Sequence, residues 1–200
     1  FSVKKASILM MWYLESDRND ASIGANLAQY RNMNKKSPYY NSNYGYYMFD
    51  EGGIAHCIEK LALNKNSRHA CILINRNSVM YSDDVDKLCT NAVMFRIRNN
   101  RLNMTVQMRS NHLINNMPLD VFTFSLFYSL VFNELKLNVY NDLQVGTYFH
   151  STSSMHVHAN QFSILPKMLN FRNRKYTGFN FSSQTWLYDM IKQLKQWSNK

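Results

Sequence analysis

Only three cysteines occur in 200 residues, at positions 57, 71 and 89. An odd number without framework spacing argues against a disulfide scaffold and for a reducing compartment. Cys57 and Cys71 have neither the spacing nor the neighbours of a zinc site, and read as buried small apolar residues. No run of about 18 apolar residues occurs, so no membrane span is expected. The longest greasy stretch, Val121 to Phe132, is too short and contains Thr and Ser. There is no signal-peptide pattern, internal repeat or linker. The expected location is cytoplasmic. Phe1 in place of an initiator methionine suggests a missing N-terminal piece. Acids are scarce: 13 Asp and Glu face 23 Lys and Arg, a formal charge of +10. Such a charge attracts nucleic acid or smaller phosphates. The cations are dispersed, with short clusters at Lys4-Lys5, Lys35-Lys36 and Arg172 to Lys175, and no nucleic-acid recognition motif stands out. A solvated basic surface around an anion pocket is therefore favoured over a dedicated nucleic-acid site.

An apolar fraction of 46% and an aromatic fraction of 14% describe a globular chain. The length suits a single domain over residues 1–200 with a sizeable core. Helical spacing covers residues 3–15 and 20–33, separated by the turn-like Ser16-Asp17-Arg18-Asn19. Pro38 to Tyr47 reads as a loop. Residues 52–63 place Ile54, Ile58 and Leu61 on one helical face. Ala70 to Ile74 has strand length. Asn91 to Ile97 and Leu102 to Met108 alternate like paired strands, joined by a hairpin turn at Arg98-Asn99-Asn100-Arg101. Residues 119–136 form a central apolar helix, and Gln144 to His150 a strand. Met155 to Leu169 and residues 182–197 complete the pattern as helices. Grouped strands and helices of this kind predict an α+β domain.

Chemistry concentrates after residue 88. Cys89 ends a polar stretch, and the second strand of the hairpin delivers Arg109-Ser110-Asn111. A thiol near a cation can ionise and act as a nucleophile, and an Arg-Ser pair can hold a phosphate. The pattern points to covalent chemistry on a phosphorylated small molecule.

Six segments in order resemble thymidylate synthase and its phage relatives, the deoxypyrimidine nucleotide hydroxymethylases, most strongly over residues 8–162. They are Trp12-Tyr13-Leu14 with Ser16-Asp17-Arg18, Asn41 to Tyr46, Asn66-Ser67-Arg68, Cys89-Thr90 with Arg109-Ser110-Asn111, Pro118-Leu119-Asp120-Val121, and Ser154 to His158. The resemblance implies a three-layer α+β fold whose dimer packs two sheets back to back. It implies Cys89 as nucleophile with Tyr44 in the catalytic site, and phosphate held by Arg109, Ser110 and an Arg68 reaching into the neighbouring subunit. Asp120 falls where the base is read, and His156 and His158 where the sugar is held. Tyr30, His112 and Asn116 fall on the folate side. The implied partners are a deoxypyrimidine monophosphate and 5,10-methylenetetrahydrofolate, within a homodimer. In the family mechanism the thiolate adds to C6 of the pyrimidine. C5 then attacks the folate's methylene group, and hydride or water completes a methyl or hydroxymethyl product.

Asp120 stands where thymidylate synthases carry asparagine. An amide offers a donor and an acceptor; a carboxylate only accepts, which suits cytosine's amino group and rejects uracil O4. The competing role for Asp120 is a helix N-terminal acid favoured by the dipole. His156 and His158 would suit a metal only with a third ligand, which the sequence does not supply, so no metal is expected. Tyr30 replaces a tryptophan beside the folate, where a smaller polar ring would admit water; it also suits a core position. Leu9 stands in place of the catalytic glutamate, and general acid–base help is typically worth about a hundred- to ten-thousand-fold. His112 replaces an aspartate that contacts the pterin, His69 a second arginine, and Asn115-Asn116 a Leu-Gly pair. These departures cluster on the folate and proton-relay side. Two functions follow: a folate-dependent C5 methylase or hydroxymethylase preferring dCMP to dUMP, or a catalytically inactive descendant that binds nucleotide, nucleic acid or a larger protein assembly. The phage-like motifs place either in a viral setting, in the host cell cytoplasm.

Overall fold

A computed structural model describes residues 2–31, 33, 36–169 and 186–199. Helix α1 spans Val3–Glu15; the Ser2 side chain caps it by accepting from the Lys5 amide at 3.3 Å, and Ser16 ends it at φ 52°. The helix expected over 20–33 is two short ones, α2 (Ser22–Asn26) and α3 (Ala28–Arg31). Between them Leu27 is extended and buried, so packing of one leucine overrides the helical spacing. The following loop carries Gly45 hard against α1: a Cβ there would lie 1.7 Å from the Tyr13 carbonyl oxygen, so only glycine fits. The loop gives way to a π-turn at Tyr46–Asp50.

Next come α4 (Gly53–Leu63), β1 (Cys71–Leu73) and α5 (Asn77–Met80), the last not expected from the sequence. Strands β2 (Thr90–Arg98) and β3 (Arg101–Met108) form the expected hairpin; Asn99 and Asn100, at φ 49° and 57°, supply the left-handed pair that a tight two-residue turn requires. Short β4 (Asn111–His112) leads into α6 (Met117–Asn138), followed by β5 (Gln144–Thr152) and β6 (Met155–His156). A 3₁₀ turn at Ala159–Ile164, α7 (Leu165–Leu169) and α8 (Trp186–Ser198) complete the described chain. The single helix predicted over Met155 to Leu169 is therefore replaced by a strand, a 3₁₀ turn and a short helix. Pairing of Asn111–His112 with Met155–His156 captures its first residues. Residues 182–185 of the predicted C-terminal helix, and the Arg172 to Lys175 cluster, lie outside the described residues.

The main sheet runs β1-β2-β3-β5, antiparallel except for the parallel β3–β5 pair. A parallel neighbour needs a long crossover, and α6 supplies it. Helix α6 is apolar on nearly every side and buries Phe122, Phe124, Phe127, Val131 and Leu135 between the sheet and α1 and α4. Its polar residues turn inward without loss: the Thr123 hydroxyl donates to the Leu119 carbonyl at 3.1 Å, and Asn133 Nδ2 to the Ser129 carbonyl at 2.9 Å. Full burial of Phe124 and Phe127 contributes about 1.5–3 kcal/mol each. The opposite face of the sheet is exposed, with Leu73 and Phe149 in the open beside Arg96 and Arg98. Cys57 is buried as expected; Cys71 is half-buried, since it alternates with Ile72 toward that open face.

Candidate active site

The hairpin register builds the first half of the site. Thr90 pairs with Met108, and the Arg109 amide donates to the Cys89 carbonyl at 2.9 Å, so the thiol and the guanidinium residue become cross-strand neighbours. Arg109 Nε donates to the Leu88 carbonyl at 2.8 Å, fixing the stem of the side chain. Proximity to Arg109 does not lower the thiol's pKa below its ordinary value. Burial pushes Cys89 up, Arg109 pulls it back only in part, and Asp120 and Asp86 add to the rise. Desolvation thus outweighs the cation at Cys89.

The β4–β6 ladder builds the second half. The Asn111 amide donates to the Ser154 carbonyl at 2.9 Å and the Leu113 amide to the His156 carbonyl at 3.0 Å. His156 consequently lies beside Ser110, whose hydroxyl is 3.5 Å from its Nδ1. His158 lies 5.4 Å from His156, centroid to centroid. The third imidazole that the sequence did not supply is His112, whose ring is 5.3 Å from His156 and 4.7 Å from His158. Even so, among the described residues no group of three or more His, Cys, Asp or Glu side chains is placed to hold a metal ion.

Asp120 lies in the first turn of α6 and is 8% exposed. Burial pushes its carboxyl up to about 7, against hydrogen bonding from Asn111. Desolvation therefore outweighs the helix N-terminus that would favour the anion. Tyr44 is buried, its ring packed on Phe124 at 5.7 Å and Tyr13 at 5.4 Å. Burial raises its pKa, with Asp120 and then Cys89 adding to the shift. Cys89, Tyr44, Asp120 and Asn111 therefore share one electrostatic neighbourhood. Arg68 is exposed in the turn between α4 and β1.

The residues expected on the folate side lie in three different settings. Tyr30 is 6% exposed in an aromatic cluster, 5.2 Å from Trp12 and 5.7 Å from Tyr40. It is a core residue, one of the two roles its sequence position allowed. His112 is 4% exposed, and its Nδ1 accepts from the amides of Ile114 at 3.3 Å and Asn115 at 3.1 Å. Asn116 is exposed at the start of α6, where its carbonyl accepts from the Asp120 amide at 2.8 Å. Leu9 is 3% exposed, and Glu15 of the same helix points to solvent.

Two residues were not anticipated, His150 and Tyr148, and they join Asn111 of the Arg109-Ser110-Asn111 segment. Asn111 Nδ2 lies 3.0 Å from His150 Nε2, and the Tyr148 hydroxyl lies 2.7 Å from His150 Nδ1. The two-residue spacing of Tyr148 and His150 on one face of a strand was the available signal.

The fold matches a solved structure, the thermostable thymidylate synthase A of Bacillus subtilis, with a TM-score of 0.72 over 94% of this chain and 69% of that one, at 12% identity. The thymidylate synthase family model matches residues 3–196, and the chain belongs to that family. Among individual relatives, the deoxycytidylate 5-hydroxymethyltransferases of Enterobacteria phages T4 and T2 are each 33% identical over 81 residues. The match covers 37% of this chain and 33% of each phage protein, so it spans about a third of those relatives.

Proposed function

We propose that this protein binds a deoxypyrimidine monophosphate, dCMP in preference to dUMP, with Cys89 set beneath the base as the nucleophile for C5 methylation or hydroxymethylation. The observation that carries this reading is the convergence of Cys89, Arg109 and Ser110 on one side with Asp120 on the other. Arg109 and Ser110 would hold the phosphate, joined by Arg68 from a second copy, and His156 and His158 the sugar. The thiolate would add to C6 after losing its proton, a loss that burial makes costly. The open sheet face, with Leu73 and Phe149 exposed, supports a symmetric homodimer formed through the sheets.

The methylenetetrahydrofolate of the family mechanism fits these residues poorly. The Nδ1 atom of buried His112 is already committed to two backbone amides, and Tyr30 is locked in the core. No step is therefore derived through folate. The same observation, together with Leu9 in place of the glutamate, favours a second reading: a descendant that keeps nucleotide binding and has lost turnover.

Calorimetry with dCMP and dUMP tests the shared part of both readings; equal affinity for the two would overturn the base preference. Tritium release from 5-tritiated dCMP, with methylenetetrahydrofolate added, separates enzyme from inactive descendant. A submicromolar folate affinity in the presence of nucleotide would contradict the poor fit.

A further inference from the structure

Tyr44 feels Cys89 electrostatically, yet each residue is reached through an irregular stretch of chain. Residues 36–43 lead to Tyr44 and residues 81–89 end at Cys89, and neither stretch contains a helix or a strand. Arg109 fixes the second stretch from one side, through its amide on the Cys89 carbonyl at 2.9 Å and its Nε on the Leu88 carbonyl at 2.8 Å. Two buried acids that the proposed chemistry does not use, Asp84 and Asp86, tie the two stretches to each other.

Asp86 is 2% exposed, and its Oδ2 accepts from the Ser42 amide at 3.0 Å and the Ser42 hydroxyl at 3.1 Å. Asp84 is 6% exposed; its Oδ2 accepts from the Ser37 amide at 3.1 Å and Asn41 Nδ2 at 3.4 Å, and its Oδ1 from the Asp86 amide at 3.2 Å. Asn41 Nδ2 also donates to the Asp86 carbonyl at 3.2 Å. On its far side the 36–43 stretch is tied to the turn after α1: Arg18 Nη2 donates to Asn41 Oδ1 at 2.7 Å, and the Tyr40 amide to the Arg18 carbonyl at 2.8 Å. Neither acid forms an ion pair among the described residues. Their charges are held by amide and hydroxyl donors alone, a costly arrangement for buried carboxylates.

We propose that Asp86, braced by Asp84, is a positioning residue: through Ser42 it latches the stretch leading to Tyr44 onto the stretch ending at Cys89, and so fixes the depth of the thiol beneath the base. This rests on the reading of Cys89 as the nucleophile. Ser42 is two residues from Tyr44 and Asp86 three from Cys89, so the latch leaves little slack between them. Both acids act through the backbone and neither is assigned a contact with the base. The groups that face the thiol are Arg109 just past β3, Asp120 on α6, Asp86 in its own stretch, and Tyr44. Opening the latch admits water to the thiol and relieves the burial that opposes its ionisation.

The test is the rate at which iodoacetamide modifies Cys89 in the full chain, followed by peptide mass as a function of pH. Ser42→Ala removes one hydroxyl and no charge, with little risk to folding. It should speed the reaction about threefold at pH 8 and move the midpoint of the pH profile down. Asp86→Asn weakens both Ser42 bonds and also removes a charge that opposes the thiolate, so it should speed the reaction about tenfold. The double variant should match Asp86→Asn alone, because the two groups act as one unit. If Asp86→Asn speeds the reaction and Ser42→Ala does not, Asp86 acts by charge alone and the latch is overturned. If both variants lower the melting temperature and leave the rate unchanged, the acids only tie the fold, and the latch is again overturned. A separate arm adds dCMP, which should protect Cys89 in the unaltered chain. Absence of protection overturns the reading of Cys89 beneath the base, and the purpose of the latch with it, whatever the two variants do to the rate.

Discussion

His112 and His156 are register partners in the two-residue β4–β6 ladder, and their rings meet edge to face at 5.3 Å. One backbone pairing thereby draws a residue expected on the folate side into contact with the residues expected around the sugar. Burial, then His158 and His156, holds the His112 pKa below its ordinary value. Its Nδ1 accepts from the amides of Ile114 and Asn115, and its Nε2 lies 3.4 Å from the His158 amide nitrogen.

Asp120 should make stability depend on pH. Its carboxyl ionises near 3.8 in the unfolded chain and near 7 in the fold. The neutral form's contribution is complete below about pH 4 and is lost as pH rises through 7, at up to about 1.4 kcal/mol per pH unit. Urea unfolding across this range should show stability falling with pH. Asp120→Asn should flatten that slope and stabilise the protein at pH 8 by on the order of 3 kcal/mol. A slope unchanged by the substitution would refute the burial of this charge. The same variant should move nucleotide preference from dCMP toward dUMP.

Cys89 should alkylate slowly at neutral pH, because burial raises its pKa and Arg109 offsets only part of the rise. Removing the cation by Arg109→Ala should slow iodoacetamide modification further, by about three- to tenfold at pH 8. Asp120→Asn should speed it. Rates that rise in Arg109→Ala would mean that the guanidinium shields the thiol rather than acidifies it.

Leu9→Glu places a carboxyl where the side chain is 3% exposed, with its charged form strongly disfavoured. The variant should lose about 2–4 kcal/mol of stability at pH 8, read as a lower melting temperature. If the rest of the site is intact, tritium release from dCMP should rise, since exposed Glu15 does not replace the missing acid. A variant that folds and binds dCMP yet shows no release supports the inactive descendant.

The open sheet face should be an interface between two copies. Phe149 is 60% exposed there, and Phe149→Glu would set one carboxylate against its symmetry mate. Sedimentation at micromolar concentration should give a dimer for the unaltered chain and at least tenfold weaker association for the variant. A monomer in both cases rules the interface out.

The α+β class, the hairpin with its Asn99-Asn100 turn, the central helix α6 and the family were all legible in the sequence. Each rests on short-range signals: alternation, left-handed turn residues, a long apolar run, and motif order. The adjacency of Cys89 and Arg109 was legible only in part: the two-residue turn alone sets Ser110 opposite Cys89, and the register shift between Thr90 and Ala92 brings Arg109 there. Ionisation was not, since it depends on how much water the folded chain removes from the thiol, and no local pattern carries that quantity. The break at Leu27, the β4–β6 pairing that gathers His112, His156 and His158, and the Asn111–His150–Tyr148 chain beside Asp120 depend on contacts between distant segments. Sequence determined which groups this protein carries; tertiary packing decided which are desolvated, which share a hydrogen bond, and so which proton each one keeps.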